Sequence, residues 1–300
     1  MRVAITGAGG RLGSALLEAF KPAAGVELAA WTRREFDLDD PASIHDLVRL
    51  NRPDVVVHAA AWTDVDGCAR EPDLAMARNG EATRAVAEAC FDAGVSLVTI
   101  STNEVFDGTR TDGEGYAVDD TISPANPYGR SKAAGEIAAR AVYSRAKADR
   151  SGAIPRLGIV RTAWLFGPGK PDFPARIASA ALKASSEGRP LRVVTDEVGC
   201  PTYVPDLAKA IARLCLGSFE GTHQVVNAGF ASRAEWAKDV LRRVDISIEI
   251  EEITLDEFDR PSRPPRWGVL APTPLPGGPL RPWRDAMAER ALDLQSVAMS

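Results

Sequence analysis

The sequence predicts an α/β fold in which helices cover both faces of a parallel β-sheet. Through the first half of the chain, short apolar strands alternate with stretches of helical periodicity, which is the pattern of consecutive βα units. Residues 54–60 are apolar after Asp54 except for His58, as in a central parallel strand that is buried on both faces. With 300 residues and 45% hydrophobic content, the chain can bury a core large enough for such a sheet.

The elements of the first half follow from this pattern in order. Apolar, β-branched runs predict strands, and helical spacing of apolar residues predicts helices. Residues 43–50 also carry acid early and Arg49 late, which suits the helix dipole. The predicted strands are Arg2–Thr6, 26–31, 54–60 and 95–100, and the predicted helices are Arg11–Phe20, 43–50 and 73–93.

After residue 128 the alternation is looser. The predicted helices are 131–147, 174–186, Val204–Leu216 and 234–244, and the predicted strands are Leu157–Thr162, Leu191–Val194 and 225–227. Residues 260–283 are crowded with proline and glycine, yet they include Trp267, Leu270 and Trp283, which is too apolar for a disordered linker. We expect an ordered, irregular segment that covers a site.

Composition excludes several classes of protein. A net charge of −5 without a long block of like charge argues against a nucleic-acid partner. No apolar run reaches membrane-spanning length, and the N-terminus enters a strand directly, without the features of a signal peptide. The four cysteines are widely spaced and the three histidines are scattered, so neither a disulfide framework nor a metal site is predicted. We expect a cytoplasmic protein with no membrane partner.

The first strand opens into a glycine-rich loop, Thr6-Gly-Ala-Gly-Gly-Arg-Leu-Gly13. Gly7 permits the sharp turn from strand to helix, Gly10 lets the backbone approach a phosphate, and Gly13 lets the helix pack closely on the sheet. The helix N-terminus then offers free N–H groups to a pyrophosphate. The Gly-x-x-Gly-x-x-Gly spacing differs from the common fingerprint by one residue. Its position between a strand and a helix nevertheless predicts a Rossmann-like, doubly wound sheet that binds a dinucleotide.

The end of the second strand predicts which dinucleotide is bound. An acid at this point usually holds the ribose 2′-OH of NAD, but the strand ends in Thr32-Arg33-Arg34. A guanidinium suits a 2′-phosphate through charge-assisted hydrogen bonds. We therefore predict NADP(H) as the preferred cofactor, with Arg33 as a contact and NAD(H) as an alternative. Asp37 and Leu38 lie a few residues on, where they could contact adenine or, for Asp37, cap a helix ahead of Pro41.

Two further motifs carry candidate chemistry. The fourth strand ends in Ser-Thr102-Asn103-Glu-Val-Phe-Asp-Gly, which places polar side chains at the edge where dinucleotides bind. Tyr128 and Lys132 stand four residues apart and therefore share one face at a helix start. A nearby ammonium favours the phenolate, which predicts that Lys132 lowers the pKa of Tyr128 toward the working range.

These motifs resemble the extended short-chain dehydrogenase/reductase superfamily, and most closely its dTDP-4-dehydrorhamnose reductase branch. The similar segments run over nearly the whole chain: the glycine loop, AAAWTDVDGCAREP (59–72), Asn79, STNEVFDG (101–108), PYGRSK (127–132), VRTAWLFGPG (160–169), DEVGCPTYVPDLA (196–208) and a C-terminal Leu-x-x-Trp-Arg (280–284). The resemblance implies that residues 1–165 form the dinucleotide-binding domain. Residues 166–300 would form a smaller, mainly substrate-binding region, with some segments returning to the sheet.

The resemblance also implies an activity and a set of site residues. The reaction would be reduction of the C4 ketone of a nucleotide-linked 4-keto-6-deoxysugar by NAD(P)H. Tyr128 would protonate the alkoxide, Lys132 would hold the ribose and tune Tyr128, and Thr102 would hydrogen-bond the carbonyl oxygen. The implied cofactor contacts are Gly10, Arg11, Leu12, Asp37, Leu38, Ala61, Trp62, Thr63, Tyr128 and Lys132. Thr63, Thr102, Asn103 and Trp164 are the sugar-site candidates, and Trp164 could equally be a core residue.

The chain departs from the family at a few positions. Asn103 and Glu104 stand where Asp and Tyr are usual, and Trp267-Gly268 where Asn-Ser is common. Asparagine keeps hydrogen-bonding capacity but cannot accept a proton, so we expect the change at position 103 to alter the properties of the site without abolishing activity. The change at Trp267-Gly268 leaves the identity of the sugar undetermined. Some members form a metal-linked dimer through a glutamate of the first helix. Ala15 stands at that position, so no metal is predicted, while a homodimer is left open.

Two other functions compete with the reductase. One is a cofactor-binding regulatory subunit without turnover, as in the β subunit of methionine adenosyltransferase, which belongs to the same branch. Retention of Thr102, Tyr128 and Lys132 together favours the enzyme. The other is a nucleotide-sugar epimerase or dehydratase. A dehydratase needs an acid and a base beside the threonine, of which Asn103-Glu104 supplies only one.

Overall fold

The computed structural model describes residues 1–145 and 155–298. The strands, in chain order, are β1 (Arg2–Thr6), β2 (Glu27–Trp31), β3 (Val55–His58), β4 (Ser96–Thr102), β5 (Leu157–Thr162), β6 (Leu165–Phe166), β7 (Leu191–Val194), β8 (Val198–Gly199), β9 (Thr202–Tyr203), β10 (Gly221–Gln224), β11 (Asn227–Ala228), β12 (Ala231–Ser232), β13 (Ile250–Ile253), β14 (Trp267–Gly268) and β15 (Leu280–Pro282).

The helices alternate with the strands of the first half. They are α1 (Arg11–Phe20), α2 (Ile44–Asn51), α3 (Val65–Arg70), α4 (Pro72–Ala75), α5 (Ala82–Asp92), α6 (Pro127–Ser144), α7 (Phe173–Ser186), α8 (Val204–Leu216), α9 (Arg233–Arg243) and α10 (Trp283–Ala298). A π-helical stretch, Met76–Glu81, joins α4 to α5, and a single 3₁₀ turn, Asn103–Val105, follows β4.

The central sheet has six parallel strands in the order β10-β5-β4-β3-β1-β2. The chain moves outward from β1 to β2 and then crosses to β3 on the other side, so the strand order reverses between β1 and β3. A crevice outside the carboxyl ends of the strands at such a switch point is where open α/β sheets bind ligands. The predicted α/β fold with a doubly wound parallel sheet is confirmed.

Each face of the sheet is covered by its own hydrophobic cluster. Val3, Ile5 and Val57 point to α1 and α8 on one face, while Ala4 and Val56 point to α2, α5 and α6 on the other. The alternation of these neighbours follows from the two-residue period of a strand. Because both faces are buried, β1 after the exposed Arg2 and β3 are apolar until each turns polar at its carboxyl end, at Thr6 and His58.

The second half differs from the prediction in places. The sixth strand of the sheet is β10, which ends before the predicted strand 225–227, and only Asn227 of that range is in a strand, β11. Helix α6 begins at Pro127 rather than Ser131, because Asn126 caps it with an Oδ1 that accepts from Gly129 N at 2.8 Å. Residues 146–147 of the predicted helix lie outside the described residues. The division of the chain at residues 165 and 166 stays a prediction.

Within the range 260–283, which was predicted to cover a site, residues 260–270 pack against the chain that follows β4 and are called the covering segment. That they cover a substrate stays a prediction. Trp267 N donates to Gly108 O at 3.1 Å, and Pro265 packs so closely on Gly108 that a Cβ there would come within 2.3 Å of it. Strand β14 of this segment pairs with β8, which pairs in turn with β12. In the part of the chain that is described, no helix combines the length and apolar character needed to cross a bilayer.

Candidate active site

The glycine loop closes the carboxyl end of β1 with almost no side chain. Gly7 has φ +66°, and a Cβ on it would lie 2.8 Å from Ala60 N. A Cβ on Gly13 would lie 2.1 Å from Gly7 O, so the helix can start this close to the loop only with glycine there. Gly10 is the N-cap of α1 and supplies no side-chain cap, which leaves backbone N–H groups for a ligand.

The end of β2 carries a small network of exposed charges. Arg33 Nε donates to Asp37 Oδ2 at 3.1 Å, and one of its terminal nitrogens lies 3.4 Å from Asp39. Arg78 donates to both carboxylate oxygens of Asp39 and stacks over Trp62 at 5.3 Å. Arg33 remains 76% exposed, so its guanidinium is accessible to an anion at this edge. Asp37 is held in this ion pair, and its contact with adenine stays a prediction.

Arg11 is turned to the opposite side of the glycine loop from β2. Its guanidinium donates to the carbonyl oxygens of Gly167, Pro168 and Lys170, and Asp172 lies 3.9 Å away. Leu12, the next residue, is buried in the core beneath α1. The Arg11 side chain thus fastens the loop after β6 to α1. Only its backbone is free for the predicted cofactor contact.

The chain after β3 is shaped by one buried asparagine. Asn79 Oδ1 accepts from Trp62 N at 2.8 Å, and its Nδ2 donates to Trp62 O and to Ser131 Oγ at 3.0 and 3.1 Å. Because Asn79 belongs to the π-helical stretch and Ser131 to α6, this side chain holds three elements together. Ala61, Trp62 and Thr63 therefore lie at the rim beside α6, and Thr63 is exposed.

The end of β4 brings three polar side chains into the same crevice. Thr102 Oγ1 donates to Asn103 Oδ1 and accepts from Glu104 N, both at 3.2 Å. Glu104 is half-buried, and Asn126 Nδ2 donates to its Oε2 at 2.6 Å. Burial, aided by the charge of Glu197, raises the pKa of Glu104 to about 7, whereas Asn126, Arg260 and Arg233 oppose the rise.

Tyr128 and Lys132 lie side by side on the first two turns of α6, and both are almost fully buried. Burial raises the pKa of Tyr128, the charge of Glu104 raises it further, and a hydrogen bond with the Thr102 side chain opposes both. Lys132 is not among the groups that shift it. The prediction that Lys132 lowers the pKa of Tyr128 is therefore wrong for the protein alone, because desolvation of the phenolate dominates.

A buried ion pair supports Lys132 and Thr102 from behind. Arg161 donates to both carboxylate oxygens of Glu136 at 3.0 and 2.8 Å, and Ser101 Oγ donates to the same carboxylate at 2.5 Å. Burial lowers the pKa of Lys132 to about 8, and the negative charge of Glu136, one turn along α6, opposes that shift. Glu136 therefore keeps Lys132 largely protonated at neutral pH.

Trp164 closes the far wall of the crevice in an unusual backbone conformation. Its φ is +43°, a left-handed geometry that costs a non-glycine residue about 1–3 kcal/mol. Arg233 stacks on its ring at 3.5 Å, and Glu197 accepts from Arg233 at 2.8 Å. A Cβ on Gly199 would lie 2.6 Å from the ring. Trp164 packs against two hydrophobic clusters, and its contact with the sugar stays a prediction.

Several residues of this site were missed from the sequence. Asn126 could have been found, since Asn before Pro127 is a helix-start signal. Glu197 and Arg233 carry no sequence signal, and neither does the Glu136–Arg161 pair, because charged residues are usually exposed. Only the fold shows that they form two ion pairs, one between the fully buried Glu136 and Arg161 and one between the buried Glu197 and the partly exposed Arg233.

The site fits a dinucleotide on its own geometry. At Gly7 and Gly13 the glycine loop has no room for a Cβ, the start of α1 carries no side-chain cap, and no hydrogen bond to another described residue occupies Lys132 Nζ. Fold and site together define an oxidoreductase of the short-chain dehydrogenase/reductase type, with Thr102, Tyr128 and Lys132 at the edge of the sheet. In the described residues no group of three or more His, Cys, Asp or Glu side chains is arranged to hold a metal ion.

The comparisons with known proteins name the family. Residues 1–296 match the RmlD substrate-binding domain, so the chain belongs to the RmlD family. It is 36% identical over 296 residues to the dTDP-4-dehydrorhamnose reductase of Mycobacterium tuberculosis, covering 96% of this chain and 91% of that one. It is 33% identical over 290 residues to the spore coat polysaccharide biosynthesis protein SpsK of Bacillus subtilis, covering 96% of each.

A solved structure supports the same assignment. The crystal structure of the dTDP-4-dehydrorhamnose reductase of Bacillus anthracis in complex with NADP superposes with a TM-score of 0.84. The two sequences are 30% identical, and the match covers 97% of this chain and 99% of the other. The predicted relationship to the dTDP-4-dehydrorhamnose reductase branch is confirmed.

Proposed function

We propose that this chain reduces the C4 ketone of a dTDP-linked 4-keto-6-deoxysugar with NADPH, and that Tyr128 donates the proton. The observation that carries the proposal is the meeting of Thr102, Tyr128 and Lys132 at the carboxyl edge of the sheet, beside the glycine loop. The names of the Mycobacterium tuberculosis and Bacillus anthracis relatives support it.

Each of the three residues has a part in the proposed reaction. The bound NADPH supplies the hydride. Tyr128 has a raised pKa, so it is a neutral phenol at pH 7 and can give its proton to the oxygen on C4 as that oxygen gains charge. Lys132, whose protonated form is favoured by the charge of Glu136, would hold the ribose of the cofactor. Thr102 would hydrogen-bond the carbonyl oxygen and align it with Tyr128.

NADPH is the proposed cofactor in preference to NADH. Arg33 is exposed at the end of β2 with Arg34 beside it, and a guanidinium there can bind a 2′-phosphate through charge-assisted hydrogen bonds. The complex of the Bacillus anthracis reductase with NADP agrees with this preference. NAD(H) stays the second choice. A cytoplasmic location and a homodimer stay predictions.

A dehydratase or epimerase remains the second candidate because of one observation. Glu104 is a half-buried carboxyl beside Tyr128 with a pKa of about 7 and, among the described residues, without an arginine or lysine in an ion pair with it. Such a group can take a proton from a carbon next to a ketone. The reductase is preferred because Asn103, the neighbouring position, cannot act as the second acid–base group.

The decisive experiment follows NADPH and NADH oxidation with dTDP-4-keto-6-deoxysugars, using the wild type and Tyr128→Phe. We expect turnover that prefers NADPH, and a fall in kcat of about 10²–10⁴-fold in the variant, the usual contribution of a positioned acid. An unchanged melting temperature without cofactor is the control for folding. Tight NADPH binding without turnover of any ketosugar would contradict the proposal and favour the regulatory subunit.

A further inference from the structure

Asn103 uses both ends of its amide within the protein. It follows Thr102 at the end of β4 and is only 3% exposed. Its Nδ2 donates to Gly268 O at 3.1 Å, and its Oδ1 accepts from Thr102 Oγ1 at 3.2 Å. A carbonyl can only accept, so the NH₂ group must face Gly268 and the oxygen must face Thr102. One buried side chain thus joins the covering segment to a candidate catalytic hydroxyl.

Gly268 is shaped to this contact. A Cβ at position 268 would lie 2.4 Å from Asn103 Nδ2, closer than any side chain could be accommodated without movement. The neighbouring backbone is held independently, because Val198 N donates to Arg266 O at 2.7 Å and β14 pairs with β8. The Asn103 amide therefore fills the space that a residue larger than glycine would need.

These contacts occupy most of the hydrogen-bonding capacity of the Thr102 hydroxyl. It has one hydrogen and two lone pairs. Asn103 accepts the hydrogen and Glu104 N–H occupies one lone pair, which leaves one lone pair for a further donor. A ligand oxygen that binds the Thr102 hydrogen must compete with Asn103 for it.

We infer that Asn103 is a positioning residue: it links the contact of the covering segment with the end of β4 to the orientation of the Thr102 hydroxyl. When the Gly268 carbonyl holds the amide, Oδ1 faces Thr102 and sets the direction of its O–H. When the segment lifts, the amide is free to turn and that direction is lost. The inference rests on the proposed function only in taking Thr102 as the group that contacts the carbonyl of the sugar.

Different substitutions separate the two ends of the amide. Asn103→Asp keeps an acceptor for Thr102 but places a carboxylate against the Gly268 carbonyl, and the substituted side chain can donate to that carbonyl only when it is protonated at low pH. Asn103→Ala removes both ends. Gly268→Ala crowds the amide, and the double variant Asn103→Ala/Gly268→Ala relieves that crowding because the amide is gone.

The first measurement needs no substrate. Hydrogen exchange read by mass spectrometry should show faster exchange in peptides 101–108 and 260–270 for all the single variants, while NADPH affinity stays within about twofold because the glycine loop is not touched. For Asn103→Asp, the excess of exchange over the wild type at the same pH should be smaller at pH 5.5 than at pH 8. Equal exchange in the wild type and Asn103→Asp at pH 8 would overturn the inference.

The second measurement is a double-mutant cycle on kcat/KM for the ketosugar. We expect Gly268→Ala to lower kcat/KM by about tenfold in the wild type but by less than about twofold in Asn103→Ala, since residues in contact are not additive. If Gly268→Ala lowers kcat/KM by the same factor in both backgrounds, the coupling is refuted, while the proposed reductase function stands. If Gly268→Ala fails to fold, the pH dependence of Asn103→Asp decides. If the wild type turns over no ketosugar, the proposed function fails and the exchange data still test the coupling.

Discussion

The two halves of the carboxyl edge are built by different means. The half around β1 and β3 is built mainly from the backbone of the glycine loop, residues 7–13. At positions such as Gly13 a side chain would collide with Gly7 O. The half around β4, β5 and α6 is made of buried side chains from distant segments, of which Asn103 and Gly268 are separated by 165 positions.

This difference shows how each half tolerates change. Backbone N–H groups at a helix start offer the same donors whatever the neighbouring side chains are, so the glycine loop is sensitive mainly to steric volume, whereas Arg33 at the end of β2 acts through its charge. The second half depends on ionisable side chains that are buried in surroundings of low dielectric constant. There, the charge of each group changes the pKa of its neighbours. The predictions below address each half in turn, from the largest expected effect to the smallest.

The largest effect is expected in the second half, for Glu136→Gln. Removing one partner of a fully buried ion pair leaves Arg161 uncompensated, which typically costs about 3–5 kcal/mol. Urea unfolding measures the loss. The matched control is Arg140→Ala, because Arg140 also pairs with Glu136 but is 44% exposed, so we expect a change below about 1 kcal/mol. Equal losses in the two variants would show that burial does not set the strength of these pairs.

A smaller loss is expected in the first half, for Gly13→Ala. The new methyl group would lie 2.1 Å from Gly7 O, and relief of such overpacking costs about 1–3 kcal/mol. Gly9→Ala is the control, since a Cβ at that position has no atom within 4 Å and should leave the melting temperature unchanged. Thermal unfolding without cofactor compares the two, and similar melting temperatures would contradict a sterically defined loop.

Glu104→Gln tests how burial of the Glu104 carboxyl, in the second half, makes the stability of the protein depend on pH. A carboxyl with a folded pKa of about 7, raised above its unfolded value, binds protons on folding, so its contribution to stability is lost as pH rises from about 4.5 to 7. The variant should therefore be more stable than the wild type at pH 8, by about 2 kcal/mol, and nearly equal at pH 4.5. The exposed Glu114→Gln is the control. A gain at pH 8 that persists at pH 4.5 would point to another cause.

The smallest effect is expected for Arg33→Ala, at the exposed end of the first half. Loss of a charge-assisted hydrogen bond to the 2′-phosphate should lower kcat/KM for NADPH by about tenfold. The value for NADH should stay unchanged, because NADH has no such phosphate. Steady-state kinetics with both cofactors measures this ratio. A preference for NADPH that survives the substitution would remove Arg33 from the cofactor site.

The fold and the first half of the site were predictable because their signals are local. Strand β1, the glycine loop and α1 lie in consecutive residues, and the predicted bounds Arg2–Thr6 and Arg11–Phe20 agree with the structure. The start of α6 was wrong because the capping effect of Asn126 was overlooked. The pKa of Tyr128 was wrong for another reason: the spacing to Lys132 is readable from sequence, but the burial that dominates the pKa is not.

By itself, the sequence determined the class of fold, the glycine loop after β1, the position of Tyr128 and Lys132 on one helix and the family, since each depends on residues within a few positions or on segments of recognisable sequence. Only the tertiary structure decided what surrounds them. It buried Glu136 against Arg161, raised the pKa of Glu104 and placed Gly268 on Asn103. The physical reason is that desolvation and close packing arise between segments far apart in the chain, and no local pattern of residues encodes which of them will meet.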